Sequence, residues 1–247
     1  MSNQTGGAQL WDTLAPIYAS SPHVAADWLI EWPAQLRMCG DFQGRRVLDV
    51  GCGSAEKARY FAEHGATEVV GVDPSSGFAG QWSALPRLPN LRLLKGSYED
   101  LLSLAEIRDA RFDLIVSFQS LMYAADHAAA IRAMAGLLVP GGALVFSVPH
   151  PFRFAILRNE IEGWGHGFAY QQTAPYRYPS PWKSDIFIEQ PMLRFCDHLN
   201  AIAAAGLRLE SVDEPPPTEE LRKIAPEKAA WMDRYVGIAI FRARAQR

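Results

Sequence analysis

Residues 46–55, which read Arg-Val-Leu-Asp-Val-Gly-Cys-Gly-Ser-Ala, constrain the fold more than any other stretch of this chain. The apolar run 47–50 predicts a buried strand, and apolar residues three and four positions apart after Ala55 predict a helix. Gly51 and Gly53 suit a sharp turn that a ligand can approach closely, because neither carries a Cβ. A strand, a glycine turn and a helix in this order open the nucleotide-binding α/β domains.

Strand patterns alternate with helix patterns along most of the remaining chain. Strands are predicted over 47–50, 68–72, 91–95, 112–117, 143–148, 207–212 and 236–243. The alternation predicts an α/β fold with a mostly parallel sheet and helices on both faces. We expect an N-terminal helical cap over 1–40 and a sheet domain formed by 41–150 together with 191–247.

The segment 151–190 differs from the rest and holds a third of the chain's Trp, Tyr and Phe residues. It far exceeds the usual connection of about 2–6 residues, and long connections in compact domains often act as lids. Its aromatic side chains favour a flat or apolar ligand. We therefore predict an inserted lid that binds a substrate. The alternative is an auxiliary core or a dimer contact.

Composition excludes several classes of protein. A net charge of −3 without a basic cluster argues against a nucleic-acid partner. The three cysteines lie far apart, and no His, Asp or Glu cluster has ligand spacing, so neither a disulfide framework nor a metal site is expected. No apolar run approaches the roughly 20 residues of a membrane span, and no signal segment stands out. A cytoplasmic protein is expected.

The residues around the glycine turn restrict its ligand. A dinucleotide site would place a third glycine where Glu56 stands, and a carboxylate there is a poor neighbour for a pyrophosphate. Asp49 beside the turn suits a cationic ligand. Asp73, about 20 residues further on, matches the acid that accepts a bond from a ribose hydroxyl. A cationic nucleoside without phosphate, such as S-adenosylmethionine, meets these conditions.

Five motifs over residues 45–148 stand in an order that resembles the class I S-adenosylmethionine-dependent methyltransferases. They are Val47–Gly53, Val72–Ser75, Gly96–Leu101, Phe112–Leu121 and Leu137–Gly142. The resemblance implies a Rossmann-like seven-stranded sheet whose last strand is antiparallel. The positions that it implies for S-adenosylmethionine are Asp49, Gly51, Cys52, Gly53, Asp73, Pro74, Ser75, Ser97, Tyr98, Glu99, Ser117 and Phe118.

This chain departs from the family pattern at two places. Ala55 stands where a third small residue, often glycine, is usual, and it should be tolerated if the backbone there is already helical. Ser97 stands where an acid is common, so Glu99 is the alternative contact to the adenine. The stretch Ser147–Pro151 and the region 193–247 resemble a bacterial small-molecule-type subgroup, methyltransferase-11.

Candidates for the chemistry must lie beyond the carboxyl ends of the strands. His150 follows the predicted strand 143–148 and is a candidate base, and Tyr123 and Tyr18 are candidate catalytic contacts. Gln119, Tyr123, His150, Trp164 and His166 are predicted to contact the acceptor. His23, His64, His127 and His198 are expected to be ordinary surface or helix histidines.

Three functions remain open from the sequence. The first is methyl transfer to an N or O atom of a small, aromatic or apolar acceptor. The second is methylation of RNA or protein, which the acidic charge and the sequence Ser117-Phe118-Gln119-Ser120 disfavour. The third is a protein that binds S-adenosylmethionine without transferring the methyl group. The chain is expected to be a monomer or a homodimer.

Overall fold

A computed structural model describes residues 7–18, 22–153, 155, 170–171 and 174–246. The helices are α1 (Gly7–Tyr18), α2 (Pro22–Cys39), α3 (Glu56–Glu63), α4 (Ser76–Trp82), α5 (His127–Gly136), α6 (Phe195–Ala204), α7 (Glu219–Ile224) and α8 (Pro226–Met232). The strands are β1 (Arg46–Val50), β2 (Glu68–Asp73), β3 (Leu91–Lys95), β4 (Phe112–Phe118), β5 (Leu138–Pro149), β6 (Tyr176–Pro179), β7 (Phe187–Gln190), β8 (Leu207–Asp213) and β9 (Ile238–Ala245).

Seven strands form one sheet in the order β3-β2-β1-β4-β5-β9-β8. The first five pair in parallel, whereas β9 runs antiparallel to both of its neighbours, β5 and β8. The predicted α/β fold, with a mostly parallel seven-stranded sheet and an antiparallel last strand, is confirmed. Strands β6 and β7 form a separate hairpin.

Helices cover both faces of the sheet because the central strands are apolar on both sides. Adjacent residues of a strand point to opposite faces. Leu48 and Phe146 accordingly pack in the core beneath α5 and α6, while Val47 and Val145 pack in the core beneath α2 and α3. Strands buried on both faces read as continuous apolar runs, which is why the sequence pattern was clear there.

Strand β5 and the region 218–231 show how the structure refines the sequence prediction. Strand β5 begins at Leu138, so residues 140–142, expected as a turn, lie within it, beside a register shift against β4. Residues 218–231, expected to contain helix, form two helices divided at Ala225, where Pro226 starts a new first turn. Proline is favoured at that first position because its missing N–H has no helical partner there.

Helix α1 packs closely on α4. The Oδ1 atom of Asp12 accepts bonds from Ser75 Oγ at 2.9 Å and from the Gly77 N–H at 3.0 Å. A Cβ at Gly77 would lie 2.8 Å from the Asp12 carbonyl oxygen, so only glycine permits this approach. The contact holds α1 across the carboxyl end of β2. In the parts of the chain described above, no helix is long and apolar enough to cross a membrane.

Candidate functional site

A cavity of ≈ 330 Å³ lies beyond the carboxyl ends of β1, β2, β3 and β4, the edge at which ligands bind in open α/β sheets. Its volume falls within the range of small-molecule sites. Helix α1 and the start of α3 complete its walls. The lining residues that sequence analysis had singled out are Tyr18, Gly51, Cys52, Gly53, Asp73, Pro74, Ser97, Tyr98, Glu99, Phe118, Gln119 and Tyr123.

The glycine turn forms the floor of this cavity. Gly51 has φ of 78° and Gly53 has φ of 52°, both in the left-handed region that favours glycine. The N–H groups of Gly51 and Cys52 donate to the Val72 carbonyl at 2.7 and 3.1 Å, which ties the turn to β2. Ala55 also has a left-handed backbone, with φ of 65°. The condition under which Ala55 was expected to be tolerated, a helical backbone, is therefore not met, and the residue is held with backbone strain.

Asp73 ends β2 and fastens the glycine turn. One carboxylate oxygen accepts from the Gly53 N–H at 2.9 Å, and the other accepts from the Ser75 N–H at 2.9 Å. Burial raises the pKa of Asp73, although these bonds oppose the rise. Each carboxylate oxygen can accept more than one bond. The group thus retains acceptor capacity toward a ligand in the cavity.

Asp49, Ser75 and Ser117 lie behind the cavity lining rather than in it. Burial raises the pKa of Asp49 to about 7, and the Lys57 ammonium opposes that rise. Ser75 caps α4, where its Oγ accepts from the Phe78 N–H. The Ser117 hydroxyl bonds the Tyr98 hydroxyl at 2.8 Å. Ser75 and Ser117 therefore support residues that line the cavity.

The turn after β3 uses its polar groups internally. The Asp100 carboxylate accepts from both the N–H and the hydroxyl of Ser97, at 2.8 and 2.9 Å. Glu99 Oε1 accepts from the Ala125 N–H at 2.9 Å, which joins this turn to the segment before α5. Glu99 nevertheless lines the cavity. Its second carboxylate oxygen is a stronger candidate than Ser97 for a polar contact with a ligand there.

Gln119, directly after β4, is a strained residue at the cavity wall. Its φ of 51° is in the left-handed region, which costs a non-glycine residue roughly 1–2 kcal/mol. The backbone N–H donates to the Ser147 carbonyl at 3.0 Å. The side-chain Nε2 is buried and finds no hydrogen-bond partner among the residues that the structure describes. Strain together with an unsatisfied buried group is typical of functional positions.

Aromatic side chains from four segments form a roof over one end of the cavity. We call Trp11, Tyr18, Phe78, Tyr123 and Trp182 the aromatic roof. Its contacting rings have centroids 5.3–5.9 Å apart. Trp182 belongs to the connection of the β6–β7 hairpin, so the segment 151–190 does reach the site.

The hydroxyl of Tyr123 accepts a hydrogen bond from the same hairpin. Gln190 Nε2 donates to the Tyr123 Oη at 3.1 Å. Burial raises the pKa of Tyr123 to about 12, so its phenol stays protonated near neutral pH. Tyr123 can orient a ligand, but it cannot serve as a base under those conditions.

His150 does not line the cavity, contrary to the expectation for a base or an acceptor contact. Its side chain is fully buried beside the rings of Phe152 and Phe195. Its Nε2 bonds Glu214 Oε1 at 2.8 Å, and its Nδ1 accepts from the Phe152 N–H at 3.1 Å. Both ring nitrogens are occupied, and burial lowers the pKa of His150. The residue joins the end of β5 to the connection after β8.

His127 and His198 lie on helices α5 and α6, in keeping with the expected surface or helix positions, and their rings form a pair in which His198 is buried. The His198 side chain is 2% exposed, and its Nδ1 lies 3.0 Å from His127 Nε2. Burial lowers the pKa of His127 to about 4 and that of His198 to about 3, although Asp197 raises both. Both rings are therefore neutral near pH 7.

We expect acid to destabilise the fold through this pair. The unfolded histidines take up protons below about pH 6.5, whereas the folded ones do so only near pH 4 and pH 3. This contribution to stability is thus present above the unfolded pKa and is lost as the pH falls, by about 3–4 kcal/mol between pH 7 and pH 5. Urea unfolding at both pH values measures the loss. His198→Phe should reduce it, whereas His64→Asn, at an exposed position, is the matched control; an unchanged loss in His198→Phe contradicts the prediction.

Trp164 and His166 lie outside the described residues. Sequence reasoning missed Trp11, Lys57, Trp182 and Gln190. Trp11 and Tyr18 are seven residues apart and share a helix face, a signal that was available in the sequence. No local pattern marks Lys57 or Gln190, because their places at the site depend on packing. In the described parts of the chain, no three His, Cys, Asp or Glu side chains gather as a metal site.

Comparisons with known proteins agree with the fold. Residues 48–146 match a family model described as a methyltransferase domain. A ubiquinone biosynthesis O-methyltransferase from Alkalilimnicola ehrlichii is 36% identical over 128 residues, 49% of this chain and 50% of that protein. A tRNA U34 carboxymethyltransferase from Pseudomonas savastanoi is 32% identical over 157 residues, 58% of this chain and 49% of that protein. This chain thus spans about half the length of these two curated relatives.

A solved structure extends the likeness over more of the chain. The S-adenosylmethionine-dependent methyltransferase from Mesorhizobium loti superposes with a TM-score of 0.68 at 25% identity. The match covers 87% of this chain and 97% of the other. The shared fold therefore includes regions outside residues 48–146.

Proposed function

We propose that this chain is a class I S-adenosylmethionine-dependent methyltransferase, which the match of residues 48–146 and the likeness to known methyltransferases support, and that it transfers a methyl group from S-adenosylmethionine to an N or O atom of a small, aromatic or apolar molecule. The observation that carries the proposal is the cavity in which Asp73 and the glycine turn meet the aromatic roof.

The cavity fits the donor chemically. The glycine turn offers close backbone approach, and Asp73 offers carboxylate oxygens to ribose hydroxyls. Glu56, Asp73 and Glu99 line the cavity and make it acidic, which favours a ligand with positive charge. S-adenosylmethionine supplies a methyl group that its sulfonium already activates. The protein's task is then to hold the acceptor atom in line with that methyl, about 3 Å away.

The roof supports an aromatic or apolar acceptor. Trp11, Tyr18 and Tyr123 line the cavity, and aromatic walls bind flat apolar groups well. The β6–β7 hairpin contributes Trp182 to the roof and Gln190 to the Tyr123 hydroxyl. We propose that the segment 151–190 acts as the lid over the acceptor.

The residues around the acceptor suit positioning rather than proton removal. Tyr123 keeps its proton near neutral pH because burial raises its pKa to about 12, and His150 is fully buried with both nitrogens bonded. Gln119 at the wall offers a neutral amide. An acceptor that loses its proton readily, or that has a free electron pair without a proton, fits such a site best.

Incubation with methyl-labelled S-adenosylmethionine tests the proposed function. The protein is mixed with a metabolite extract, with total RNA and with a protein extract in separate reactions. Label in small molecules is the expected result. Label only in RNA, the substrate class named for the Pseudomonas relative, or only in protein contradicts the small acceptor. Donor binding without any transfer contradicts the enzyme itself.

We expect Gln119→Gly to raise stability by about 1 kcal/mol, because it removes the left-handed strain and the unsatisfied amide. We also expect it to lower kcat/KM for the acceptor by roughly tenfold, as the loss of a neutral hydrogen bond to the substrate would. Urea unfolding measures the first effect and steady-state kinetics the second. The matched variant is Gln119→Asn, because asparagine tolerates the same left-handed backbone and keeps a side-chain amide. A Gly variant that is both less stable and fully active would contradict the assignment.

A further inference from the structure

Lys57, the second residue of α3, is the one cation among the described residues that line the cavity. The other charged side chains in that lining are the acids Glu56, Asp73 and Glu99. S-adenosylmethionine carries a sulfonium, an ammonium and a carboxylate. Acidic walls attract the first two groups and repel the third. A cation at the wall would offset this repulsion of the donor's carboxylate.

Two buried rings hold the Lys57 ammonium in place. Its Nζ lies 5.3 Å from the centroid of the Phe118 ring and 5.8 Å from that of the Trp32 ring, both within cation–π range. Both rings are 6% exposed, so their positions are fixed by the core. The ammonium thus lies where the glycine turn, the end of β4 and α2 meet.

Lys57 forms no direct ion pair in the described parts of the chain. The buried Asp49 carboxyl is near enough for the ammonium to lower its pKa, against the rise that burial causes. No described carboxylate lies within 4.0 Å of its Nζ. Its neighbour Glu56 instead accepts from the Trp28 indole N–H at 2.9 Å. A partly buried ammonium that makes no direct ion pair keeps its N–H donors for a ligand.

We propose that Lys57 binds the carboxylate at the amino-acid end of S-adenosylmethionine. This inference rests on the proposed use of that donor. Binding of the carboxylate by Lys57 orients the donor across the turn, with the ribose at Asp73 and the amino-acid end toward Phe118. Lys57 is then a positioning residue, because it fixes where the sulfonium methyl points.

Calorimetry with two donors tests this assignment. S-adenosylmethionine is compared with decarboxylated S-adenosylmethionine, which lacks only the carboxylate. In Lys57→Met we expect affinity for the first to fall at least about tenfold and affinity for the second to stay within about threefold, as loss of a charge-assisted bond would produce. Lys57→Arg should keep most of the affinity. Lys228→Met, which removes the same charge from exposed α8, is the matched control.

The outcomes separate this inference from the proposed function. If Lys57→Met lowers the affinity for both donors equally, the lysine only shapes the turn and the inference is overturned. Unchanged binding of both donors overturns it as well. If the wild-type protein binds neither donor, the proposed function itself fails. Melting temperatures without ligand show whether each variant is folded.

Discussion

Replacing Asp73 with alanine is expected to weaken the binding of S-adenosylmethionine by about 1.5–3 kcal/mol, the range for a hydrogen bond to a charged group. That energy corresponds to a loss of affinity of roughly 10- to 150-fold. The Asp73 carboxylate faces the cavity and would accept the ribose hydroxyls. It also binds the N–H groups of Gly53 and Ser75. Its removal therefore loses a ligand contact and loosens the turn.

Two further variants separate these effects. Asp73→Asn keeps one acceptor oxygen and the shape of the side chain, so its affinity should lie between those of the wild type and the alanine variant. Asp109→Ala, at a side chain that is 86% exposed, controls for the loss of one negative charge. Calorimetry measures each affinity, and thermal melting of the unliganded protein measures the turn. An affinity unchanged in Asp73→Ala would falsify the assignment of this residue to the ribose.

The second large effect is expected from Gly51→Ala. Gly51 has φ of 78°, which costs alanine roughly 1–2 kcal/mol. A Cβ there would also overlap the Cβ and Oγ of Ser120, and overpacking of that kind adds about 1–3 kcal/mol. We therefore expect the free energy of unfolding to fall by about 2–5 kcal/mol, and we expect donor binding to be lost because the turn forms the floor of the cavity.

Gly141 provides a matched control for this prediction. Its φ of 77° is nearly the same, yet a Cβ there would have nothing within 4 Å. Gly141→Ala should cost only the roughly 1–2 kcal/mol of backbone strain. The double variant Gly51→Ala/Ser120→Gly, compared with both single variants in urea unfolding, isolates the overlap. Equal losses in Gly51→Ala and Gly141→Ala would show that the overlap with Ser120 has no cost.

Positions near the glycine turn could be predicted because their signals are local. The strand, the turn and the helix at 46–63 are encoded by neighbouring residues, and Asp73 follows from the length of one βα unit. His150 shows the limit of that reasoning. Its place just after a strand suggested a cavity residue, but strand position does not say which way a loop side chain turns. Packing against Phe152 and Phe195 buried it instead.

The acceptor side of the site depended on residues far apart in the chain. Trp11 and Trp182 meet over the cavity with ring centroids 5.3 Å apart, although 171 positions separate them. The aromatic content of 151–190 indicated a ligand-binding segment but not which residue reaches the site. The described part of that segment contributes Trp182 and Gln190, whereas the predicted acceptor contacts Trp164 and His166 lie outside the described residues.

The sequence by itself determined the α/β fold class with its mostly parallel seven-stranded sheet, and it singled out most of the residues around the glycine turn that line the cavity. Those features follow from strand and helix periods and from the glycine turn, which act over a few neighbouring residues. Only the tertiary structure decided that α1 closes on α4 through Asp12 and Gly77, that Lys57 is held between Phe118 and Trp32, and that His150 is buried. Each of these depends on the close packing of distant segments, and a pattern along the chain does not encode such contacts.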